Sequence, residues 1–226
     1  MKIDKTFVIN LKERKDRRDN IERELTRVNI KEYEFFDAIR PTLDDLNKWN
    51  PEYLKTIPKW FKRLNKDDNK YRLGCLGCLL SHYNIIKIAK ERNYKNILIL
   101  EDDTFFTFDK STTFQDIMSD LSIEINKIFN NYGILYLTGN HANNSLKRIS
   151  NNIVNTRYTL TTGSYLISER AMDFILDNLY GYAREIDVFY VERIQQTIPC
   201  YCIYPHIAGQ SESYSDIAQI NVNYRL

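Results

Sequence analysis

The stretch NILILEDDTFF, residues 96–106, decides how this chain is read. Ile97, Leu98, Ile99 and Leu100 form an unbroken apolar run, the pattern of a buried strand. Glu101, Asp102 and Asp103 follow at once, ahead of Phe105 and Phe106. Carboxylates held among apolar neighbours repel one another and resist losing water, so the cluster calls for a positive group to hold. Side chains alternate along an extended backbone, so Glu101 and Asp103 share one direction and Asp102 takes the other.

Outward from this strand, strands and helices alternate. KTFVINL is a short apolar strand, and KERKDRRDNIERELTRV behind it carries Ile21, Leu25 and Val28 at helical spacing on an otherwise charged segment. YEFFDAI reads as a second strand. Residues 41–72 break the pattern with Pro41, Pro51, Pro58 and both tryptophans, and are expected to be an insertion of short helices serving as a lid or acceptor-side wall. A helix returns in GCLGCLLSHYNIIKIAKERN, with Leu76, Leu79, Tyr83 and Ile86 along one stripe. Next come a helix near 114–129, the strand GILYL at 133–137, and one or two strands in NTRYTLTTGSYLIS broken at Gly163. Ser168 is expected to cap the helix ERAMDFILDNL, DVFYVERIQQ to form another helix, and CYCIYP the last strand before an irregular tail. The alternation implies an α/β fold with a mainly parallel central sheet flanked by helices, as a single domain over residues 1–226 with the insertion at about 41–72. Ligands of such sheets bind beyond the carboxyl ends of the strands, where Glu101 to Asp103 fall.

Composition narrows the function classes. Lysine plus arginine (32) nearly balance aspartate plus glutamate (30), and a net charge of +2 gives no argument for a nucleic-acid or membrane partner. No segment approaches the roughly 18 apolar residues that span a bilayer, and no signal peptide or retention tag is seen, so the default expectation is a soluble, cytoplasmic protein. The lysines interleaved with Trp60 and Phe61 in the insertion suit an amphipathic surface helix or a sugar-stacking wall better than a nucleic-acid groove. Cys75-x-x-Cys78 with His82, and Cys200-x-Cys202 with His206, have the spacing of a zinc site. The first pair lies in a helical apolar pattern and the second in a strand, so these cysteines read as small buried hydrophobes.

Hard divalent cations take oxygen ligands, and Mg²⁺ often uses one or two carboxylates plus substrate phosphates. One face of the acidic cluster can therefore hold Mn²⁺ or Mg²⁺ carrying a diphosphate while the remaining carboxylate orients a sugar hydroxyl. The competing reading is a surface turn whose acids cap a neighbouring helix.

Six segments, taken in order, resemble glycosyltransferase family 25, the lipooligosaccharide-type sugar transferases that include the collagen galactosyltransferases. They are FVINLKERKDRRDNI, GCLGCLLSHYNII, ILILEDD, TGSYLIS, EIDVFY and YPHIAGQSESYSDI, and they run from about Thr6 to Ile217. The resemblance implies a GT-A-type, Rossmann-like domain that uses a UDP-sugar with Mn²⁺ or Mg²⁺ and inverts the anomeric carbon. It implies a glycan or glycoprotein acceptor, and a hexose donor of which galactose or glucose is expected.

In that scheme Asn10, Arg14 and Arg17 reach the nucleotide, since arginine suits phosphate through its planar fork; otherwise they are a solvated helix start. Gly77 and Ser81, one helical turn apart, allow close approach of the nucleotide or of another backbone, and His82 bonds a phosphate or a core carbonyl. Asp102 faces the donor. Gly163 and Ser164 leave room for a sugar, or mark a β-bulge. Glu101 and Asp103 hold the metal, with His206 and Gln210 competing as third ligand: position favours Gln210, coordination chemistry the imidazole. Asp187, among Ile186, Val188 and Phe189, is the expected general base, with Glu185 in reserve; an N-cap is its competing role. Two other functions stay open: a non-catalytic relative that binds a nucleotide sugar or glycan, and a nucleotidyl transferase, which lacks support outside the acidic strand. The linkage and the oligomeric state are not legible.

Overall fold

Phe7 and Ile9 point to one face of their strand and Val8 to the other, and Ile97 and Ile99 alternate likewise with Leu98 and Leu100. This period of two divides the core into layers on either side of one sheet. The structure is a computed structural model that describes residues 2–142 and 146–222. Among these residues the main sheet has eight strands, in the order Tyr33–Asp37, Lys5–Asn10, Asn96–Glu101, Ser164–Ser168, Ile134–Tyr136, Cys200–Ile203, Ile153–Thr156 and Leu146–Arg148. Six run in one direction; Ser164–Ser168 and Ile153–Thr156 run against them. The sheet is thus mainly parallel in direction but mixed in pairing. Asn10, Glu101, Tyr136 and Ile203 all end at one edge, where the reversed strand starts at Ser164.

The long helix Asp68–Glu91 and the helix Glu169–Asn178 cover one face, burying Leu76, Leu79, Ile86, Met172 and Ile175. Lys15–Arg27, Phe114–Asp120 and Ser122–Ile128 cover the other through Ile21, Leu25, Phe114, Met118 and Ile125. Each such buried side chain stabilises the fold by about 1.5–3 kcal/mol, and truncating Leu79 to alanine costs about 2–5 kcal/mol. Ser168 caps its helix as expected, accepting from Ala171 N at 3.4 Å.

Four segments differ from the sequence reading. The helix near 114–129 is two helices that meet at Leu121, the first held by a capping box between Thr113 and Asp116. The long helix starts earlier, at Asp68, because Asp67 caps Asn69 N and Lys70 N, a polar start that leaves no apolar stripe. DVFYVERIQQ divides into a helical turn Ile186–Phe189, a π-helical turn Tyr190–Ile194 and Gln195–Thr197. The tail is not irregular: Ala208–Gln210 pairs antiparallel with Thr104–Phe106, and Ser213–Ser215 with Ile220–Val222. Strands this short carry no readable period: a partner far away in sequence creates the first pair, and a local hairpin the second. The 41–72 insertion does contain short helices, Leu43–Trp49 and Lys59–Lys62, but Tyr53 and Phe61 are sealed into the core. Among the described residues no helix is long and apolar enough to cross a membrane.

Candidate active site

The acidic turn is built by the reversed strand as much as by its own. Gly163 O accepts from Glu101 N at 2.7 Å and from Thr104 Oγ1 at 2.9 Å, which pins both ends of the carboxylate run. The expected alternation then appears in the side chains. Asp102 turns to Arg17 Nη1, 2.7 Å from Oδ1, and to Asn10 Nδ2, 2.8 Å from Oδ2. Glu101 and Asp103 converge instead on Gln210, whose Nε2 lies 3.3 Å from Glu101 Oε2 and 3.2 Å from Asp103 Oδ1. Thr162 Oγ1 donates to Glu101 Oε1 at 2.8 Å, and His82 Nε2 stands 3.5 Å from the same oxygen, an ion-pair distance beyond ordinary hydrogen bonding. Gly163 makes this convergence possible: a Cβ there would sit 2.8 Å from Gln210 Cδ.

Burial pushes Asp103 up to about 7, and the negative charges of Glu101 and Asp102 add to it against Arg17, 3.5 Å away. Burial also raises Glu101, but His82, the Thr162 hydroxyl and Arg17 outweigh it and leave that carboxyl below its ordinary value. Asp102 rises by burial in spite of Arg17 and Asn10. A divalent cation fits this donor set on three grounds. Two carboxylates and an amide meet at one point. Arg17 offsets their mutual repulsion only in part, since Asp103 stays raised. Gln210 Oε1 is buried with no hydrogen-bond partner among the described residues, and turning the amide over would bring that acceptor to where Nε2 now meets the carboxylates.

The cluster opens into a cavity of about 530 Å³ between the long helix, the acidic strand and the tail. Arg17, Gly77, Ser81, His82 and Asp102 contribute to its walls, and Tyr214 to Ile217 roof it. Arg17 Nη2 donates to Ser213 Oγ at 2.7 Å and Tyr214 O at 2.8 Å, and Arg14 Nη1 pairs with Asp216 Oδ2 at 2.9 Å. Gly77 lies against Ile39 O with no room for a Cβ, and Ser81 Oγ accepts from Ile39 N at 2.9 Å while donating to Gly77 O at 2.7 Å. In this structure, therefore, both hold the cavity's wall to the 39–41 segment. His82 Nδ1 lies 2.8 Å from Tyr165 Oη, which leaves Nε2 aimed at Glu101.

Asp187 lies outside the cavity lining, with Oδ2 3.3 Å from Thr161 N and Oδ1 2.8 Å from Val188 N. Burial lifts it to about 6, and Glu185 and Glu101 add to the rise. Glu185, not Asp187, occupies the N-cap position of Ile186–Phe189, and its side chain makes no capping bond. Its Oε1 accepts from Tyr71 Oη at 3.0 Å, while the buried Oε2 has no hydrogen-bond partner among the described residues and stands 4.0 Å from Arg184 Nε. Ser164 is buried opposite Leu100, its Oγ likewise without a partner among those residues. His206 stands apart from the acidic turn, its Nε2 2.9 Å from His141 Nε2. Of the two competitors, Gln210 is the one beside the carboxylates.

Thr162, Tyr214 and Asp216 were not singled out from the sequence. Thr162 precedes Gly163 and offers a local signal; the tail residues come to the cavity only through long-range pairing.

A family model described as Glycosyltransferase family 25 (LPS biosynthesis protein) matches residues 3–190. The chain is 31% identical to Procollagen galactosyltransferase 1-B of Xenopus laevis over 191 residues, 78% of this chain and 28% of that protein. It is 29% identical to Procollagen galactosyltransferase 2 of Mus musculus over 196 residues, 84% of this chain and 30% of that protein. A Glycosyltransferase 25 family member of Drosophila melanogaster is 36% identical over 109 residues, 47% of this chain and 17% of that protein. The chain thus spans less than a third of the length of these relatives.

Proposed function

The chain belongs to glycosyltransferase family 25, and from that premise we propose that it moves a hexose from a UDP-sugar to a hydroxyl of a glycan or glycoprotein, with inversion. Galactose is the first donor sugar to test, because two of the relatives are named as galactosyltransferases, and glucose the second. One observation carries the reading: the meeting of Glu101, Asp103 and Gln210 at the mouth of a cavity that Arg17 also lines. Glu101, Asp103 and Gln210 are the residues that would hold Mn²⁺ or Mg²⁺, which when bound neutralises charge growing on the diphosphate leaving group.

The remaining roles fall to the chain's own groups. Arg17 offers its donors to the phosphates and is held in place by Asp102, itself fixed by Asn10. Arg14, paired with Asp216, ties the tail over the cavity. Asp187 takes the acceptor proton: a carboxyl near 6 is ionised at neutral pH yet more basic than an ordinary aspartate. Thr161 N orients that carboxylate, and Glu185 raises its basicity through negative charge.

Calorimetry of UDP with Mn²⁺ and in excess EDTA tests the reading, followed by turnover with UDP-galactose and UDP-glucose. Binding that requires the metal is the expected result. Equal UDP affinity in EDTA removes the metal-bridged donor site, and hydrolysis of only CMP- or GDP-linked sugars removes the donor assignment.

A further inference from the structure

Of the segment Cys200-x-Cys202 with His206, Cys202 and His206 come together at one point and Cys200 is not in that group. Folding adds His141. It follows the strand Ile134–Tyr136, while Cys202 and His206 lie in and just after Cys200–Ile203, the neighbouring parallel strand. Both strands end at the same edge of the sheet, so the loops beyond them meet there. The Cys202 thiol and one nitrogen from each imidazole lie within 4.8 Å of one another.

We propose that His141, Cys202 and His206 form a second metal site, of zinc type, distinct from the carboxylate cluster. Zinc–nitrogen and zinc–sulfur bond lengths of about 2.1 and 2.3 Å separate tetrahedral ligands by about 3.3–3.7 Å. The observed 2.9 Å between the two Nε2 atoms falls below that range and the 4.8 Å limit of the group above it, so binding would require the side chains to move. His141 Nε2 and His206 Nε2, 2.9 Å apart, are close enough to share either one proton or one cation.

The surroundings are those of a built site. His141 Nδ1 lies 2.7 Å from Thr159 Oγ1, an outer partner that fixes the ring. Thr159 is itself held, its N–H donating to Gln195 Oε1 at 3.0 Å and its hydroxyl against Thr156 Oγ1. Thr107 Oγ1 donates to His206 O at 2.9 Å, and the Tyr204 ring packs edge-on against the His206 ring. Burial lowers both imidazoles, favouring the neutral form a metal needs, and raises the Cys202 thiol, so an ion has to displace a firmly held proton there.

Two imidazoles and a thiolate suit Zn²⁺, whereas Mg²⁺ and Mn²⁺ prefer the oxygens of Glu101 and Asp103. Binding would release the Cys202 thiol proton to solvent. Three strand spacings separate Cys200–Ile203 from Asn96–Glu101, about 14 Å, so the two sites share no ligand. The ion would tie the loop after Ile134–Tyr136 to the turn at His206. That stiffens Thr159, and with it Thr161, whose N–H holds Asp187.

The test uses the full chain, stripped with chelator and probed with Zn²⁺ or Co²⁺ in excess Mg²⁺. One equivalent of zinc is expected, with a melting temperature raised by roughly 5–10 °C at zinc a hundredfold above Kd. Co²⁺ should give a thiolate-to-cobalt charge-transfer band. That band should vanish in Cys202→Ser, weaken at least tenfold in Co²⁺ affinity in His206→Ala, and survive in Cys78→Ser and Asp103→Asn. His141→Gln, at a partly exposed position, gives the same reading if the buried Cys202→Ser prevents folding. A band kept in Cys202→Ser but lost in Cys78→Ser moves the thiolate site to Cys78, His82 and Glu101 and overturns the proposal. Zinc affinity and melting shift unchanged in His141→Gln and His206→Ala overturn it too.

Discussion

Asp103→Asn should make the metal-free protein more stable while abolishing the metal-dependent turnover proposed above. The Asp103 carboxyl is pushed from an ordinary 3.8 up to about 7, first by burial and then by the charges of Glu101 and Asp102. That displacement corresponds to about 4 kcal/mol of resistance to ionisation in the folded state. Its sign is fixed by linkage. A carboxyl whose folded value lies above its unfolded one binds more protons when folded, so stability falls as pH rises from about 4 to about 7. Asparagine carries no charge to ionise, so the variant escapes that loss. That net rise already contains the pull of Arg17, and halving it for the readjustment of the tightly coupled Glu101 leaves about 2 kcal/mol. For a domain of this size that raises the melting temperature by roughly 4–8 °C. The assay is thermal melting in EDTA at pH 8 and at pH 5, where the gain should shrink to under half. Turnover with Mn²⁺ and a UDP-sugar is measured on the same samples. An unchanged or lower melting temperature at pH 8 refutes the electrostatic argument. Wild-type turnover in the variant refutes the assignment of Asp103 to the metal.

Asp187→Asn keeps the shape of the side chain but cannot take a proton, so turnover at saturating acceptor should fall roughly a hundredfold or more while the melting temperature does not fall, Asp187 too being raised by burial. Wild-type turnover should rise with pH through about 6, as Asp187 ionises, and near-normal activity in the variant would pass the role to Glu185. Gly163→Ala forces a Cβ against Gln210 Cδ at 2.8 Å, so Mn²⁺ affinity measured by calorimetry should drop about tenfold, as for a disturbed metal partner, with stability little changed. Unaltered Mn²⁺ binding in that variant would mean Gln210 is not a ligand.

The sequence by itself determined the two-sided strands. Apolar residues such as Phe7, Val8, Leu98 and Ile99 alternate within a few positions, and that period is a local property of extended chain. It also put Glu101 to Asp103 at a strand end and divided their directions, because alternation continues one residue past the strand. Only the tertiary structure decided what those carboxylates face. Gln210 reaches them because Ala208–Gln210 pairs with Thr104–Phe106, and it fits because Gly163 has no side chain. His206 and Gln210 are four residues apart and equally near the acidic cluster in sequence, yet the short strand at Ala208–Gln210 sends one to Asp103 and leaves the other beside His141. The order of strands in the sheet governs such meetings. That order is set by which long loops close and which faces bury together, a sum over the whole core that no single stretch of sequence contains.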